Sequence, residues 1–314
     1  MMEYKGQNFA SPDEYFKYLL QENDMPDVLS CFEEENIDVE GSRLHLRVLR
    51  SNIKAPTVVF LPGTATYAMC YAEFLYLLYK GGVNVVGIDP RGHGQSGGTR
   101  GHYSIDSLMA DVRAVVDYAK IHFEGSIHLL GSSQGGITSL YLASEGIAVD
   151  SVICQNIADL TGRKSHRLTR FPLLSAIGKP LLSFLSRIAP RFKVPIQGYL
   201  ALHKVHVKHF GNARLFMEED PLALNHVTLQ TLHSLATKSF ANPLSSLQLP
   251  IMVFQGEADE IFPVPYTRDL LEEIGSSKKK LMLYPERGHG IMVNVPEEVV
   301  PDVLSWIERI DSNI

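Results

Sequence analysis

Residues 131–135, with the sequence Gly-Ser-Ser-Gln-Gly, place a serine where it could act as a nucleophile. They follow the apolar run 127–130 and precede the helix-like stretch 136–144. A G-x-S-x-G motif between a strand and a helix is typical of a nucleophile elbow, a tight turn that exposes the serine at the helix N-terminus. There the free backbone N–H groups and the helix dipole favour negative charge. The pattern predicts Ser133 as the nucleophile, and the alternative is an ordinary strand-to-helix turn.

A histidine and an aspartate follow two later strand-like runs. A serine hydroxyl is a weak nucleophile at neutral pH and needs a histidine base that a carboxylate holds in place. His289 comes just after the strand-like run 280–284, and Asp259 follows the strand-like run 250–256. One helix and one strand fit between them, so both side chains should lie at the same sheet edge as Ser133. We therefore predict a triad of Ser133, Asp259 and His289. The alternative acids are Glu257 and Glu260.

The same chemistry needs two backbone donors that stabilise the oxyanion of a tetrahedral intermediate. The residue after the nucleophile supplies one donor, which predicts the N–H group of Gln134. The other should come from the loop 62–64, Pro-Gly-Thr, after the strand-like run 57–61. We predict the N–H group of Thr64, with Ala65 as the alternative donor. An ordinary Pro-Gly turn is the structural alternative for this loop.

The elements that must position these residues alternate along the chain after an antiparallel start. The alternation predicts an α/β fold with a mostly parallel sheet of eight strands and helices on both faces. The predicted strands lie at 36–39, 44–49, near 58, and at 83–88, 127–130, 149–154, 251–254 and 281–284. The predicted helices lie at 13–21, 71–79, 105–119, 134–144, 265–274 and 296–310.

From residue 32 to residue 310 the chain resembles the α/β-hydrolase superfamily and, within it, the monoacylglycerol lipase-like serine esterases (lysophospholipase-like). The loop 89–97, D-P-R-G-H-G-Q-S-G, is similar to the D-x-R-G-x-G-x-S loop of the family. Residues 259–263, D-E-I-F-P, resemble the family segment in which an apolar pair and a proline come after the triad acid. Residues 220–222, D-P-L, resemble a short element at the end of the lid in these lipases. The resemblance implies the α/β-hydrolase fold with a serine nucleophile.

Two positions depart from the family pattern. Pro62 stands in place of the usual histidine before the glycine of the oxyanion loop. Ser132, Ser133 and Gln134 stand in place of the usual His-Ser-Met. A polar residue after the nucleophile is similar to some acyl-thioesterases and aromatic-acid esterases, so those activities remain alternatives.

The stretch between the strands near 154 and 250 carries helical but no strand signals. In the fold that the chain resembles, an insertion after strand 6 forms a lid. We predict an N-terminal helical extension at 1–30, a hydrolase core at 31–156 and 244–314, and a helical cap at 157–243. Four prolines should cut the cap into short helices, with hinges at Asn156 and at 242–243. These prolines are Pro172, Pro180, Pro190 and Pro195.

Composition favours a globular enzyme over a disordered or membrane-spanning chain. Of 314 residues 45% are apolar, and the mean hydropathy is −0.01. The first twenty residues hold no seven-residue apolar stretch, and no run approaches the ~18 residues of a membrane span. The three cysteines have unrelated spacings and predict neither disulfides nor a metal site. We expect a cytoplasmic protein that needs no metal and no cofactor.

Five histidines outside the triad have spacings or positions to compare with those of metal ligands. His203, His206 and His209 are spaced three apart, which would spread them around a helix instead of directing them at one metal ion. His93 and His102 lie in loops at the predicted catalytic edge, and we expect them to make local hydrogen bonds. None of the five is predicted to bind a metal.

Basic residues are concentrated in one segment. Residues 160–215 contain eleven Lys and Arg and no Asp or Glu, whereas the whole chain has a net charge of −6. With apolar residues between the charges, the segment fits peripheral contact with an anionic membrane surface, or a site for an amphiphilic or anionic ester. The alternative is a solvated helix face. A sequence pI of about 6.1 argues against nucleic acid as a partner.

These features together predict a serine hydrolase that cleaves a carboxylic ester of a small molecule through an acyl-enzyme. The resemblance points to a lipid-like or amphiphilic monoester, as for a monoacylglycerol lipase or carboxylesterase. A non-hydrolytic ligand receptor on the same scaffold is the alternative from another class, and a complete triad argues against it.

Overall fold

An eight-stranded sheet forms the centre of the computed structural model, which describes residues 2–22, 28–162, 168 and 172–312. The strands in these ranges are β1 (Met2–Tyr4), β2 (Gln7–Phe9), β3 (Glu33–Val39), β4 (Ser42–Leu49), β5 (Thr57–Leu61), β6 (Asn84–Asp89), β7 (Ile127–Ser132), β8 (Ser151–Gln155), β9 (Lys193–Pro195), β10 (His206–Val207), β11 (Gly211–Asn212), β12 (His226–Thr228), β13 (Ile251–Gly256) and β14 (Lys279–Tyr284). The α-helices are α1 (Pro12–Glu22), α2 (Ala72–Lys80), α3 (Ile105–His122), α4 (Gln134–Ser144), α5 (Pro172–Ile188), α6 (Ala213–Glu219), α7 (Leu229–Thr237), α8 (Val264–Glu273), α9 (Ile291–Asn294) and α10 (Pro296–Asp311).

The central sheet has the order β14-β13-β8-β7-β5-β6-β4-β3. Strands β3, β4 and β6 pair antiparallel, and every other neighbouring pair is parallel. Strands β5 to β8 and β13 are buried along their whole length, as expected for parallel strands that helices cover on both faces. The predicted α/β fold with a mostly parallel eight-stranded sheet is confirmed.

Alternate side chains of the strands enter two hydrophobic clusters, one on each face. Along β5, Val59 and Leu61 pack into the cluster that contains α3, α4 and α8. Val58 and Phe60 point to the other face, where α1, α2 and α10 pack. Trp306 of α10 lies in this second cluster, and its indole N–H donates to Ser151 Oγ at 3.1 Å. The two clusters hold the sheet rigid between the helices.

Two predictions about the insertion between β8 and β13 need correction. Four short strands lie there, β9 to β12, where no strand was predicted, because strands of two or three residues are too short to show a period-2 pattern. Pro180 does not end a helix, since α5 continues through it. Pro180 is exposed, so water can solvate the carbonyl group that loses its N–H partner at this proline.

The N-terminal extension contains more structure than the single predicted helix. An antiparallel hairpin of β1 and β2 precedes α1, with Met2 opposite Phe9. Tyr4, Phe9, Tyr15 and Phe16 are buried and join the cluster on the α2 and α10 face. No α-helix in the described ranges is long and apolar enough to span a bilayer.

Candidate active site

The turn from β7 to α4 places Ser133 at the carboxyl edge of the sheet. Ser133 has φ +51° and ψ −113°, a strained conformation for a residue with a side chain. The flanking glycines permit the turn, because a Cβ atom at Gly131 would overlap the backbone of Gly135, and one at Gly135 would overlap Leu61 O. The Ser133 amide donates to Gln155 O on β8 at 2.8 Å, which fixes the turn against the sheet. This geometry is that of a nucleophile elbow.

The structure brings Ser133, His289 and Asp259 into one hydrogen-bonded chain. His289 Nε2 lies 3.1 Å from Ser133 Oγ. His289 Nδ1 lies 3.0 Å from Asp259 Oδ2. The three residues follow β7, β14 and β13, whose parallel ends meet at the same edge of the sheet. Asp259, and not Glu257 or Glu260, contacts the imidazole ring.

The Asp259 carboxylate is held from all sides, and its side chain is 1% exposed. Its Oδ1 atom accepts the backbone N–H groups of Ile261 and Phe262, each at 2.8 Å. Its Oδ2 atom accepts from Asn156 Nδ2 at 3.0 Å in addition to His289. Burial alone would raise the pKa of Asp259, but the contact with His289 and the amide bonds outweigh it and lower the pKa. The carboxylate therefore stays ionised beside the imidazole.

The electrostatics of His289 favour its charged form. Burial opposes protonation, but the carboxylates of Asp259 and Glu260 outweigh it, so the pKa of His289 is raised above its ordinary value of 6.5. Glu260 also accepts the backbone N–H of His289 at 2.9 Å. The Phe262 ring stacks on the imidazole with 5.6 Å between ring centroids and planes 8° apart. The ring is thus fixed in the orientation that joins Ser133 to Asp259.

Gln134 and Thr64, the residues predicted to supply the oxyanion hole, both lie at the site around Ser133. Gln134 is the first residue of α4, so its amide has no partner within the helix. Thr64 lies in the loop after β5, in the wall of the cavity at Ser133. Gln134 Oε1 accepts the hydroxyl groups of Thr64 at 2.9 Å and of Tyr103 at 3.1 Å. The Gln134 side chain therefore holds the loop that carries Thr64, the other predicted donor. Ala65, the alternative donor, has φ +68°.

A buried polar network behind Ser133 joins four strand ends, those of β5, β7, β8 and β14. The Tyr71 hydroxyl accepts from Gly63 N and donates to Ser132 Oγ, each at 3.2 Å. Ser132 Oγ in turn donates to Gln155 Oε1 at 2.6 Å. The Gln155 amide group donates to His289 O, also at 2.6 Å. The network fixes the loops after β5, β7 and β14 relative to one another.

Sequence reasoning missed three residues that support the site. Asn156 was predicted as a hinge, but it is buried, has φ +66° and donates to Asp259. Gln155 and Tyr71 were not predicted at all. Gln155 is the last residue of β8, and Asn156 follows it. Strand β8 lies between β7 and β13, which Ser133 and Asp259 follow, and that position is the signal that could have identified both residues.

A mostly apolar cavity of about 180 Å³ opens at Ser133 and His289. Side chains from the core, from the insertion and from α1 line it. Representative lining residues are Phe16, Leu20, Phe74, Phe210, Met217 and Met292. The few charged groups include Lys208 and Glu73, whose Nζ and Oε2 atoms lie 3.7 Å apart. Such a cavity suits an apolar chain attached to the group that reaches Ser133.

The histidines at 93, 102, 203, 206 and 209 lie in separate local environments. The prediction assumed that His203, His206 and His209 share a helix, but they do not. They lie in a 3-10 turn, in β10 and in the turn of the β10–β11 hairpin, respectively. His93 Nδ1 lies 3.0 Å from Arg91 O, and His102 Nδ1 lies 3.0 Å from Thr228 Oγ1, so both make the expected local hydrogen bonds. Within the part of the chain that the structure describes, no cluster of three potential metal ligands is present.

Comparisons with known proteins agree with the fold. A family model described as "Serine aminopeptidase, S33" matches residues 53–296. A monoacylglycerol lipase of Mycolicibacterium smegmatis is 28% identical over 259 residues, which cover 80% of this chain and 87% of that protein. The human monoglyceride lipase is 24% identical over 283 residues, which cover 87% and 89% of the two chains.

Among solved structures, a soluble variant of the monoglyceride lipase from Saccharomyces cerevisiae, in complex with a substrate analog, is similar with a TM-score of 0.72. Its sequence identity is 16%, and the match covers 89% of this chain and 95% of that one. At this identity the likeness concerns the fold. The family model matches well over half of this chain. The chain therefore belongs to the serine aminopeptidase S33 family of α/β hydrolases and is monoacylglycerol lipase-like.

Proposed function

We propose that the protein is a serine hydrolase that cleaves a carboxylic ester with an apolar acyl chain. The observation that carries this proposal is the chain of hydrogen bonds Ser133–His289–Asp259 at the mouth of an apolar cavity. Relatives named as monoacylglycerol or monoglyceride lipases support an ester as the substrate. The family description names a peptidase, but the apolar cavity favours a lipid-like chain over a peptide.

The geometry supports a two-step mechanism. Ser133 Oγ attacks the ester carbonyl carbon while His289 Nε2 takes the hydroxyl proton, and Asp259 stabilises the resulting imidazolium. The carbonyl oxygen becomes an oxyanion that the amides of Thr64 and Gln134 stabilise. The C–O bond to the alcohol breaks as His289 returns the proton to the leaving oxygen. Water then attacks the acyl-enzyme by the same route, releasing a carboxylic acid and free Ser133.

The side chain of Gln134 bears on the thioesterase and aromatic-acid esterase alternatives. These alternatives rested on a polar residue after the nucleophile. Gln134 is buried, and its side-chain Oε1 atom is occupied by the hydroxyl groups of Thr64 and Tyr103. The polarity of Gln134 therefore has a use in positioning the loop, so this residue gives no support to a thioester or an aromatic-acid ester as the substrate.

A labelling experiment separates the enzyme from the receptor alternative. A fluorophosphonate probe should modify wild-type protein at Ser133, and a Ser133→Ala variant should remain unlabelled. Turnover of p-nitrophenyl esters of increasing chain length, beside monoacylglycerols and acyl-CoAs, then identifies the preferred class. Folded wild-type protein that is neither labelled nor active on any of these substrates would contradict the proposal and favour a ligand receptor.

We further propose that the insertion contacts an anionic lipid surface. Five of the eight large apolar side chains that are exposed among the described residues lie between 181 and 192. Leu181, Phe184, Leu185 and Ile188 recur at helical spacing on α5, with Phe184 59% and Ile188 66% exposed. Exposed basic side chains surround this stripe. They are Arg187, Arg191 and Lys193. Apolar groups flanked by basic ones suit a helix lying in the interface of an anionic bilayer.

Vesicle flotation tests this contact. Wild-type protein should bind vesicles of phosphatidylcholine with phosphatidylserine more strongly than vesicles of phosphatidylcholine alone, and salt above about 0.15 M should weaken the binding. Arg187→Glu with Lys193→Glu should abolish the difference. Arg268→Glu with Lys278→Glu makes the same charge change at exposed positions elsewhere and should leave binding intact. If both double variants bind like wild type, the segment is only a solvated surface.

A further inference from the structure

We propose that the N-terminal segment 2–22 forms the wall of the acyl cavity that determines which chain lengths the enzyme accepts. This inference rests on the proposed ester hydrolase function. Phe16, Leu19 and Leu20 of α1 line the same cavity as Ser133 and His289. The family model matches residues 53–296, so these side chains lie outside the matched range.

The segment is fixed to the cavity by directional contacts. The Tyr15 hydroxyl donates to Asp220 Oδ2 at 2.7 Å, and the Tyr67 hydroxyl donates to the same oxygen at 2.8 Å. Asp220 is buried at the end of α6, and its Oδ1 atom accepts the amides of Leu222 and Ala223. A buried carboxylate thus ties α1 to the insertion and to the loop after β5 in one place. A wall held this way presents its side chains in a defined position.

Two further contacts prevent the segment from moving away from the cavity. Tyr4 of the hairpin packs edge-to-face on Phe210 of the insertion, with ring centroids 6.3 Å apart, and Phe210 itself lines the cavity. Asp13 at the start of α1 accepts from Arg47 of β4 at 2.7 Å. The Arg47 side chain is 1% exposed and the Asp13 side chain is 52% exposed, so the ion pair lies at the boundary between the core and water. The segment therefore bridges the sheet and the insertion across the cavity.

The apolar face of α1 is suited to limiting the length of a hydrocarbon chain. Leu20 is 6% exposed and Phe16 is 3% exposed, so neither has room to move aside without repacking the core. In a close-packed apolar site, one methylene more or less changes the specificity by about 10- to 200-fold. Enlarging or reducing the side chain at position 20 should therefore change the acyl preference and leave the reaction at Ser133 intact.

Chain-length profiles of kcat/KM for p-nitrophenyl esters test the wall. Leu20→Ala should raise kcat/KM at least about tenfold for an ester two carbons longer than the wild-type optimum. Leu20→Trp should lower kcat/KM at least about tenfold at the wild-type optimum and move the optimum to a shorter ester. Gln21→Trp is the matched control, because it places the same indole on the exposed side of α1 and should keep the wild-type profile. Wild-type profiles in both Leu20 variants would overturn the proposal.

A second measurement separates this inference from the proposed function. In the Ser133→Ala background, saturated fatty acids that fill the cavity should raise Tm, and the length giving the largest increase should shorten with Leu20→Trp. If the wild type hydrolyses esters but neither profile responds to position 20, the wall proposal is wrong and the hydrolase proposal stands. If no ester is hydrolysed but the fatty-acid profile shifts, the wall stands and the hydrolase proposal fails.

Discussion

The two ends of the cavity are built in different ways. At the reactive end, hydrogen bonds between 2.6 and 3.2 Å join the polar groups into one connected set, from Gly63 through Tyr71 and Gln155 to His289. At the apolar end, the wall consists mainly of apolar side chains of α1 and the insertion, and the Asp220 carboxylate that also lines it is occupied by Tyr15 and Tyr67. Hydrogen bonds depend on direction and apolar contacts mainly on volume. Changes at the reactive end should therefore alter the rate, and changes at the apolar end should alter the preference.

We expect the largest effect from a substitution that removes the nucleophile at the reactive end. Ser133→Ala should lower kcat by roughly 10⁶, since loss of a triad serine has this magnitude in a well-studied enzyme. The loss of kcat is measured from ester hydrolysis, by stopped-flow for the wild type and by long incubations for the variant. Ser132→Ala removes the neighbouring hydroxyl and should keep at least about 1% of the activity. Retention of a tenth of the wild-type rate in Ser133→Ala would show that another residue is the nucleophile.

The acid at the reactive end should have the next largest effect. Asp259→Asn should reduce kcat by roughly 10⁴, because the amide would hold His289 in the wrong tautomer. Glu260→Gln should cost less than about tenfold, since Glu260 bonds only the backbone of His289. Steady-state kinetics of the two variants provide the comparison, and the reverse ranking would make Glu260 the triad acid.

Substitution of Gln134 tests whether the hydrogen-bonded groups at the reactive end depend on one another for their positions. Gln134→Leu should lower kcat by about 10- to 100-fold with little change in KM, because Thr64 and Tyr103 lose their shared acceptor and the oxyanion loop loses its position. Tyr103→Phe removes one of the two donors and should cost less. An unchanged kcat in Gln134→Leu, or a change in KM alone, would show that the loop holds its position without this side chain.

The smallest effect concerns the pH profile. His289 acts as a base only when neutral, so kcat/KM should fall about tenfold per pH unit below its pKa. The raised pKa places the midpoint of this fall above 6.5. Because the Glu260 carboxylate contributes to the increase, Glu260→Gln should move the midpoint to lower pH. A midpoint below 6.5 in the wild type, or one that Glu260→Gln moves upward, would contradict the electrostatics of the site.

The sequence was sufficient to predict the parts of the site that follow long strands. Ser133, Asp259 and His289 each come after an apolar run, and parallel strands bring such positions to one edge. The structure places His289 within hydrogen-bonding distance of both Ser133 and Asp259. Thr64 lies at the same edge because β5 is the neighbour of β7. The catalytic roles of these residues remain predictions.

Contacts between distant segments could not be predicted from the chain. The pattern Tyr15, Phe16, Leu19 and Leu20 shows that one face of α1 is buried, but not that it faces a cavity formed more than forty residues later. The bond from Tyr15 to Asp220 joins residues 205 positions apart, and no local pattern encodes it. The short strands of the insertion depend on similar long-range pairing, such as that of β9 with β12.

Trp306 gives this protein a convenient spectroscopic property. It is the only tryptophan in the chain, it is 3% exposed, and it lies in the core on α10 instead of in the wall of the cavity. Its indole N–H bonds Ser151 at the start of β8. Tryptophan emission should therefore report the loss of packing between α10 and the sheet during denaturation, with little background from a ligand entering the cavity. A tryptophan introduced at position 20 would add a second fluorophore that responds to the cavity itself.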